Sequence, residues 1–141
     1  MSLKLRALTA IVTGLFMFPS FAATDPAELL QEFEMQKGYS EISQNIANAL
    51  IESNDKIALI DVRSPEEFRE GHIDGAVNIP VENIKGHQLL DGIPTSTPLL
   101  LYCRTGRRAT TAGQMLVRSG YQYVMNFGGV TTWQFGLTAG D

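Results

Sequence analysis

The chain has 141 residues, enough for one domain, and its 44% apolar and 18% charged residues are typical of a globular protein, not of a disordered chain. The formal net charge is −4. An acidic balance of this kind excludes a general attraction to nucleic acid or to anionic lipid.

The start of the chain has the order of a secretory signal peptide. Lys4 and Arg6 precede an uncharged run of twelve residues, and Ser20 and Ala22 place small residues where a signal peptidase cuts. The run is shorter than the roughly 20 residues of a membrane-spanning helix. We therefore expect residues 1–22 to be removed, which leaves no membrane anchor; the alternative is a buried or membrane-anchoring N-terminal helix. The predicted mature chain carries nine Lys and Arg against fifteen Asp and Glu.

Two helices are predicted next. Asp25-Pro26 can cap and begin a helix that continues to about Gln36, and Gly38 ends it. Apolar residues at helical spacing predict a second helix after Ser40, which Asn54-Asp55 interrupts. The organisation of the chain is then a helical extension over 23–39 and one domain over 40–141.

Strands and helices alternate in the remainder of the chain. Short apolar runs predict strands over 57–60, 76–79, 99–102 and 123–125. Helices are predicted between and after them, beginning at Ser64-Pro65, within 82–97, after Arg107 and around Trp133. The run 99–102 is apolar without alternation, as in a central strand covered on both faces. The pattern predicts an α/β fold with a mainly parallel central sheet and helices on both faces.

Cys103 is the only cysteine, so the chain cannot form an internal disulfide. In an oxidising compartment an unpaired thiol is exposed to mixed disulfides and overoxidation, and its presence there indicates a use. The alternative is that Cys103 is a small buried apolar residue, as free cysteines often are.

The residues after Cys103 favour a functional thiol. Three of the nine cations of the predicted mature chain, Arg104, Arg107 and Arg108, fall within five positions. They lie in a loop between a predicted strand and a predicted helix, where Gly106 lets the backbone fold closely. Backbone N–H groups and the helix dipole stabilise an anion or a thiolate in such a loop. The alternative for the arginines is a solvated cationic face.

Three segments, in this order, resemble the signatures of the rhodanese family. They are DVRSPEEF at 61–68 with GHIDGAVNIP at 71–80, YCRTGRR at 102–108, and GGV at 128–130 with Trp133. The resemblance runs from about residue 40 to residue 137. Together with the predicted signal peptide, it is closest to the small single-domain periplasmic rhodaneses of the phage-shock type.

The resemblance implies a rhodanese-like fold, a periplasmic location and a sulfurtransferase without a cofactor. It implies that a Cys103 thiolate takes the outer sulfur of a small anionic donor such as thiosulfate and passes it, as a persulfide, to cyanide, a thiol or a protein acceptor. The implied substrate-binding residues, through backbone amides or guanidinium groups, are Arg104, Thr105, Gly106, Arg107 and Arg108.

Other polar residues of these segments favour structural roles. Asp61 ends the first strand of the domain, and Arg63 lies near Glu67 and Glu70 in the chain, so a structural ion pair or loop clamp is expected there. In the family the residue at His72 belongs to a turn and transfers no proton. His87 has no supporting context, and Trp133 is expected to pack at the edge of the site.

Two rival functions stay open at this point. A cysteine phosphatase or arsenate reductase needs an arginine six positions after the cysteine, where this chain has Ala109. A non-catalytic rhodanese-like module could bind a partner or sense thiol oxidation in the cell envelope. One cysteine and two distant histidines give no ligand spacing for a metal, and none is proposed.

Overall fold

The computed structural model describes residues 25–53 and 56–141. The predicted signal peptide and the predicted helix break at Asn54-Asp55 lie outside the described residues. Five parallel strands form one sheet in the order β1-β5-β4-β2-β3. The strands are β1 Gly38–Glu41, β2 Ala58–Asp61, β3 Val77–Asn78, β4 Leu99–Cys103 and β5 Tyr123–Gly129.

Helices connect the strands. They are α1 Pro26–Gln31, α2 Gln44–Ser53, α3 Pro65–Glu70, α4 Gln88–Asp91 and α5 Arg107–Arg118, with single 3-10 turns at Val81–Asn83 and Val130–Thr132. None of the helices among the described residues has the length and apolar character needed to cross a bilayer.

Strand β4 is the centre of the sheet, and all five of its residues are buried. Because side chains alternate along a strand, Leu99, Leu101 and Cys103 face a core that includes buried residues of α5. Leu100 and Tyr102 face a second core that includes buried residues of α2. The predicted α/β fold, with a parallel sheet covered on both faces, is confirmed.

The main difference from the predicted elements is strand β1. Helix α1 ends at Gln31 and not near Gln36, and residues 38–41 pair in parallel with β5 as an edge strand. Four residues with a glycine, a serine and a glutamate give no apolar alternation, and only pairing with β5 makes this segment a strand. The predicted boundary between 23–39 and 40–141 falls inside β1, and that division stays a prediction.

Tyr39 of β1 lies against helix α5 at a position where α5 has no side chain. A Cβ atom on Gly113 would lie 2.7 Å from the Tyr39 ring. The Tyr39 hydroxyl is within hydrogen-bonding distance of Thr110 Oγ1 and Asn126 Nδ2, at 3.3 and 3.0 Å. The missing side chain of Gly113 therefore makes room for a ring that is held at its far end.

We expect Gly113→Ala to lower the free energy of unfolding by about 1–3 kcal/mol, because the added methyl group displaces a ring that hydrogen bonds hold in place. The intrinsic helix preference of alanine opposes this loss, by about 1 kcal/mol. Urea denaturation measures the net change. Gly92→Ala is the matched control, since its Cβ would meet its nearest atom at 3.9 Å; equal stability of the two variants would contradict this account.

Candidate active site

Cys103 is the last residue of β4, at the carboxyl edge of the sheet, and has no exposed surface. In open α/β sheets ligands bind at this edge. The Gly106 N–H group donates a hydrogen bond to Cys103 Sγ, with 3.0 Å between nitrogen and sulfur. The cysteine is thus buried, as the alternative interpretation of Cys103 expected, but its sulfur accepts a bond from the loop that follows it.

The loop from Arg104 to Gly106 leads directly into α5. Gly106 is the N-cap residue of α5 and has a φ of 112°, in the left-handed region that side chains disfavour. A Cβ atom at this position would also lie 3.1 Å from Gly128 Cα of β5. The sulfur therefore lies at the amino end of a twelve-residue helix, where free N–H groups and the helix dipole favour negative charge.

The segment after β5 holds the outside of the loop. The Arg104 carbonyl accepts hydrogen bonds from the Thr131 backbone N–H and hydroxyl, at 3.2 and 3.0 Å. Gly129 approaches the Arg104 carbonyl so closely that a Cβ atom on Gly129 would collide with it. The two glycines seen in the sequence as a closing signature thus lie directly beneath the loop.

The structure separates the three loop arginines. The Arg104 and Arg107 side chains are exposed, and neither forms an ion pair with any described residue. Arg108 is half-buried and binds Glu67 of α3 with two hydrogen bonds of 2.7 and 2.9 Å. The pKa of Arg108 is raised by this bond to Glu67 and, to a smaller degree, by Cys103. Arg108 therefore joins α5 to α3 beside the loop, whereas the other two arginines face solvent.

Glu67 reaches Arg108 because the start of α3 is fixed. Ser64 and Glu67 form a capping box, in which Ser64 Oγ accepts from the Glu67 N–H and Glu67 Oε2 accepts from the Ser64 N–H. The hydrogen bond from Arg108 lowers the pKa of Glu67 to about 2. Glu67 is therefore a carboxylate at neutral pH.

A buried ion pair lies below α3. Arg63 and Asp61 are 2.7 Å apart, with side chains 6% and 0% exposed, and Arg63 also donates to the Gly71 carbonyl. The Arg63 guanidinium lies 5.7 Å from the centre of the Tyr102 ring. These contacts tie the start and end of α3 to β2 and β4. Arg63 thus has the structural role expected of it, but its partner is Asp61 and neither Glu67 nor Glu70.

The remaining candidates make structural contacts. His72 is buried, stacks on Phe68 with ring centres 3.7 Å apart, and donates from Nδ1 to the Phe68 carbonyl. His87 caps α4 by accepting from the Leu89 N–H. Trp133 packs in the second core against Phe127. Among the described residues, no cluster of His, Cys, Asp and Glu could hold a metal ion.

Comparison with known proteins identifies the domain. A family model of the rhodanese-like domain matches residues 43–135, about two thirds of the chain. The chain belongs to the rhodanese family. Its match includes the loop after Cys103, α3 with Glu67, and the glycines of β5, so the site described above lies wholly inside the rhodanese domain.

Relatives of known name agree with the family. A mitochondrial protein of Schizosaccharomyces pombe, named provisionally as a thiosulfate sulfurtransferase, is 32% identical over 133 residues, 86% of this chain and 89% of that protein. The thiosulfate sulfurtransferase PspE of Escherichia coli is 36% identical over 72 residues, 50% of this chain and 68% of that protein. A solved structure, a rhodanese with anions from E. coli, covers 59% of this chain and 98% of its own at 31% identity and a TM-score of 0.54. Family and relatives support a sulfurtransferase.

Three residues around this rhodanese loop have roles that the sequence does not predict. Glu67 is expected near Arg63 but is the partner of Arg108, and no motif in the sequence points to Asn126 or Thr131. Glu67 and Arg108 are 41 residues apart in the chain. The one available signal was positional, since Glu67 lies inside the first family segment and Asn126 and Thr131 lie next to the closing one.

We expect Glu67→Gln to destabilise the protein at pH 7, because it removes the carboxylate that Arg108 binds. The pKa of Glu67 lies at about 2, below its ordinary 4.5. Its contribution to stability is therefore present above pH 4.5 and lost as the pH falls toward 2. Urea denaturation of both proteins from pH 7 down to about pH 3 measures the difference, which should shrink on acidification.

The matched control for this prediction is Glu66→Gln on the same helix. Glu66 is 73% exposed and meets Arg69 only at 3.8 Å, so its loss should change stability little at any pH. A difference between wild type and Glu67→Gln that stays constant over this pH range would refute the ionic role of Glu67.

Proposed function

We propose that this protein is a thiosulfate sulfurtransferase that carries sulfane sulfur as a persulfide on Cys103. The observation that carries the proposal is the hydrogen bond from the Gly106 N–H to Cys103 Sγ, within a loop that begins α5. A sulfur in this position can hold negative charge. The terminal sulfur of a persulfide on Cys103 is also negatively charged, and the same N–H groups would stabilise it.

The proposed reaction has two displacements at sulfur. The Cys103 thiolate attacks the outer sulfur of thiosulfate; a new sulfur–sulfur bond forms, the bond within thiosulfate breaks, and its electron pair leaves with sulfite. Cyanide or an acceptor thiolate then attacks the terminal sulfur of the persulfide. Thiocyanate or an acceptor persulfide is released, and Cys103 is again a thiolate.

The loop residues divide the work of binding. The N–H groups of residues 104–108, of which the Gly106 N–H already bonds to Sγ, stabilise the transferred sulfur. Arg104 and Arg107 are exposed beside the site and are suited to the sulfonate end of the donor. The match to a rhodanese solved with anions supports a donor of this charge. Thr105 contributes its backbone and not its exposed side chain.

We further propose that the protein acts in the periplasm after export and cleavage near Ala22. The order of charged, apolar and small residues at the start of the chain supports this location. In that location the acceptor would be a small thiol or a partner protein. Either would approach the carboxyl edge of the sheet, where the loop arginines and Cys103 lie.

Complete burial of Cys103 favours a second candidate. A non-catalytic module would keep its thiol out of solvent, and Cys103 has no exposed surface. Such a protein would bind a partner or report thiol oxidation in the cell envelope, and it would take no sulfur from thiosulfate.

Mass spectrometry of the purified protein after incubation with thiosulfate separates the two candidates. We expect a mass gain of one sulfur atom on Cys103, removed by cyanide as thiocyanate is released. Cys103→Ser is the control and should remain unmodified with its fold intact. An unmodified wild-type thiol would support the non-catalytic module, and sulfur transfer by Cys103→Ser would remove Cys103 from the mechanism.

Arg107→Ala should raise the KM for thiosulfate about three- to tenfold, with kcat within about twofold, because an exposed guanidinium holds the donor and does not touch the transferred sulfur. Steady-state formation of thiocyanate measures both constants. Arg118→Ala is the control, since Arg118 is an exposed cation at the opposite end of α5. Equal losses in kcat and KM would instead assign Arg107 to the persulfide.

A further inference from the structure

Asn126 of β5 is a buried polar side chain that the proposed reaction does not use directly. Its side chain bonds to both backbone segments that meet beneath the sulfur site. Asn126 Nδ2 donates to the Gly106 carbonyl at 3.0 Å, and Asn126 Oδ1 accepts from the Gly128 N–H at 2.9 Å. Asn126 is only 4% exposed, so these bonds form in a water-poor environment where they are strong.

Asn126 and helix α5 together fix the direction of an amide in the loop, because the Gly106 carbonyl accepts both the Asn126 bond and the first helical hydrogen bond of α5, from the Thr110 N–H at 2.9 Å. In a trans peptide the carbonyl and the N–H group of the next residue point in opposite directions. Because the Gly106 carbonyl points toward Asn126, the Arg107 N–H points away from β5 and toward the open end of the loop. The Gly106 N–H, on the other side of the same residue, bonds to Cys103 Sγ.

A chain of hydroxyl groups supports Asn126. Its Nδ2 group also lies 3.0 Å from the Tyr39 hydroxyl and 3.2 Å from Thr110 Oγ1. Thr110 Oγ1 donates to the Gly106 carbonyl at 3.1 Å, and the Tyr39 hydroxyl can donate to Glu41 or to Thr110. This network extends from edge strand β1 to the loop, and Tyr39 and Glu41 lie before the segment that the family model matches.

We propose that Asn126 is a positioning residue of the sulfur site, and that Tyr39 acts through it. With the first helical bond of α5, Asn126 holds the Gly106 carbonyl on the side of β5, which turns the Arg107 N–H toward the open end of the loop. It also fixes the position of Gly106, whose own N–H bonds to Cys103 Sγ. The inference rests on the proposed function for its role in sulfur transfer, but the effect on the Cys103 thiolate can be measured without it.

Two variants test the proposal, with one matched control. Asn126→Ala removes the bonds to both backbone segments. Tyr39→Phe removes only a hydroxyl and keeps the ring that fills the space beside Gly113, so its fold is preserved even where Asn126→Ala fails to fold. Tyr121→Phe is the control, because it likewise removes one tyrosine hydroxyl that is hydrogen-bonded in the fold. That hydroxyl lies 2.9 and 3.0 Å from the carbonyls of Leu90 and Ile93, far from the Cys103 loop.

The first measurement is the rate at which iodoacetamide alkylates Cys103 in each folded protein. We expect a decrease of about tenfold in Asn126→Ala and about two- to threefold in Tyr39→Phe, since one hydrogen bond to the loop is lost or weakened, and no change in Tyr121→Phe. A purely structural role predicts the opposite sign, because a loosened loop exposes a buried thiol. Unchanged or faster alkylation in Tyr39→Phe or Asn126→Ala would overturn the proposal.

The second measurement is a single turnover with thiosulfate. The maximal rate of persulfide formation should fall by the same factors, while the thiosulfate concentration for half-maximal rate stays within about twofold, because the exposed arginines are intact. A wild-type protein that takes no sulfur would refute the proposed function, and the alkylation series would still decide the role of Asn126. Wild-type turnover with full rates in both variants would refute the positioning role alone.

Discussion

The sulfur site depends on the close approach of β5 to the loop that follows Cys103. Gly129 lies against the Arg104 carbonyl and Gly128 against Gly106, at distances that leave no room for a side chain at Gly129 and little at Gly106. Only with this approach can Thr131 and Asn126 donate hydrogen bonds to the outward-pointing carbonyls of Arg104 and Gly106. Each carbonyl that points toward β5 turns the following N–H group away from β5. The glycines of β5 therefore influence which N–H groups of the loop after β4 face the sulfur.

A second set of contacts ties the site to α3 and places the carboxylate of Glu67 beside Arg108. The buried Asp61–Arg63 pair anchors α3 to β2, the capping box fixes its first turn, and Glu67 at the end of that turn binds Arg108. The buried pair contributes chiefly by its geometry, because desolvation of two charges offsets much of their attraction. Its value to the site is that it fixes Arg63, which also donates to the Gly71 carbonyl at the end of α3. Movement of α3 would break that bond, so Glu67 stays opposite Arg108.

The parts of this arrangement that the sequence could predict are those made by adjacent residues. The apolar run of β4, the cysteine, the glycine and the cations of the loop stand in one continuous segment, and their chemistry follows from their order. Strand β1 could not be predicted, because residues 38–41 have neither apolar alternation nor β-branched side chains and become a strand only by pairing with β5. The same holds for Asn126 and Glu67, whose partners lie 20 and 41 residues away in the chain. The absence of a side chain at Gly113 is likewise explained only by the ring of Tyr39, 74 positions earlier in the sequence.

The partition of the three arginines bears on how reactive the sulfur can be. A thiolate in a buried site needs compensation, which backbone amides and the end of α5 supply as partial charges. A full cation bound to the sulfur would stabilise it further, but a more stabilised thiolate is also a weaker nucleophile. Glu67 takes both hydrogen bonds of the Arg108 guanidinium that reach α3, so Arg108 offers the sulfur only a shared charge. The two arginines with no such partner among the described residues remain in solvent, where an anionic donor can bind them without neutralising the nucleophile. In the proposed reaction, Glu67 of α3 thus separates the charge that binds the donor from the charge that stabilises the sulfur.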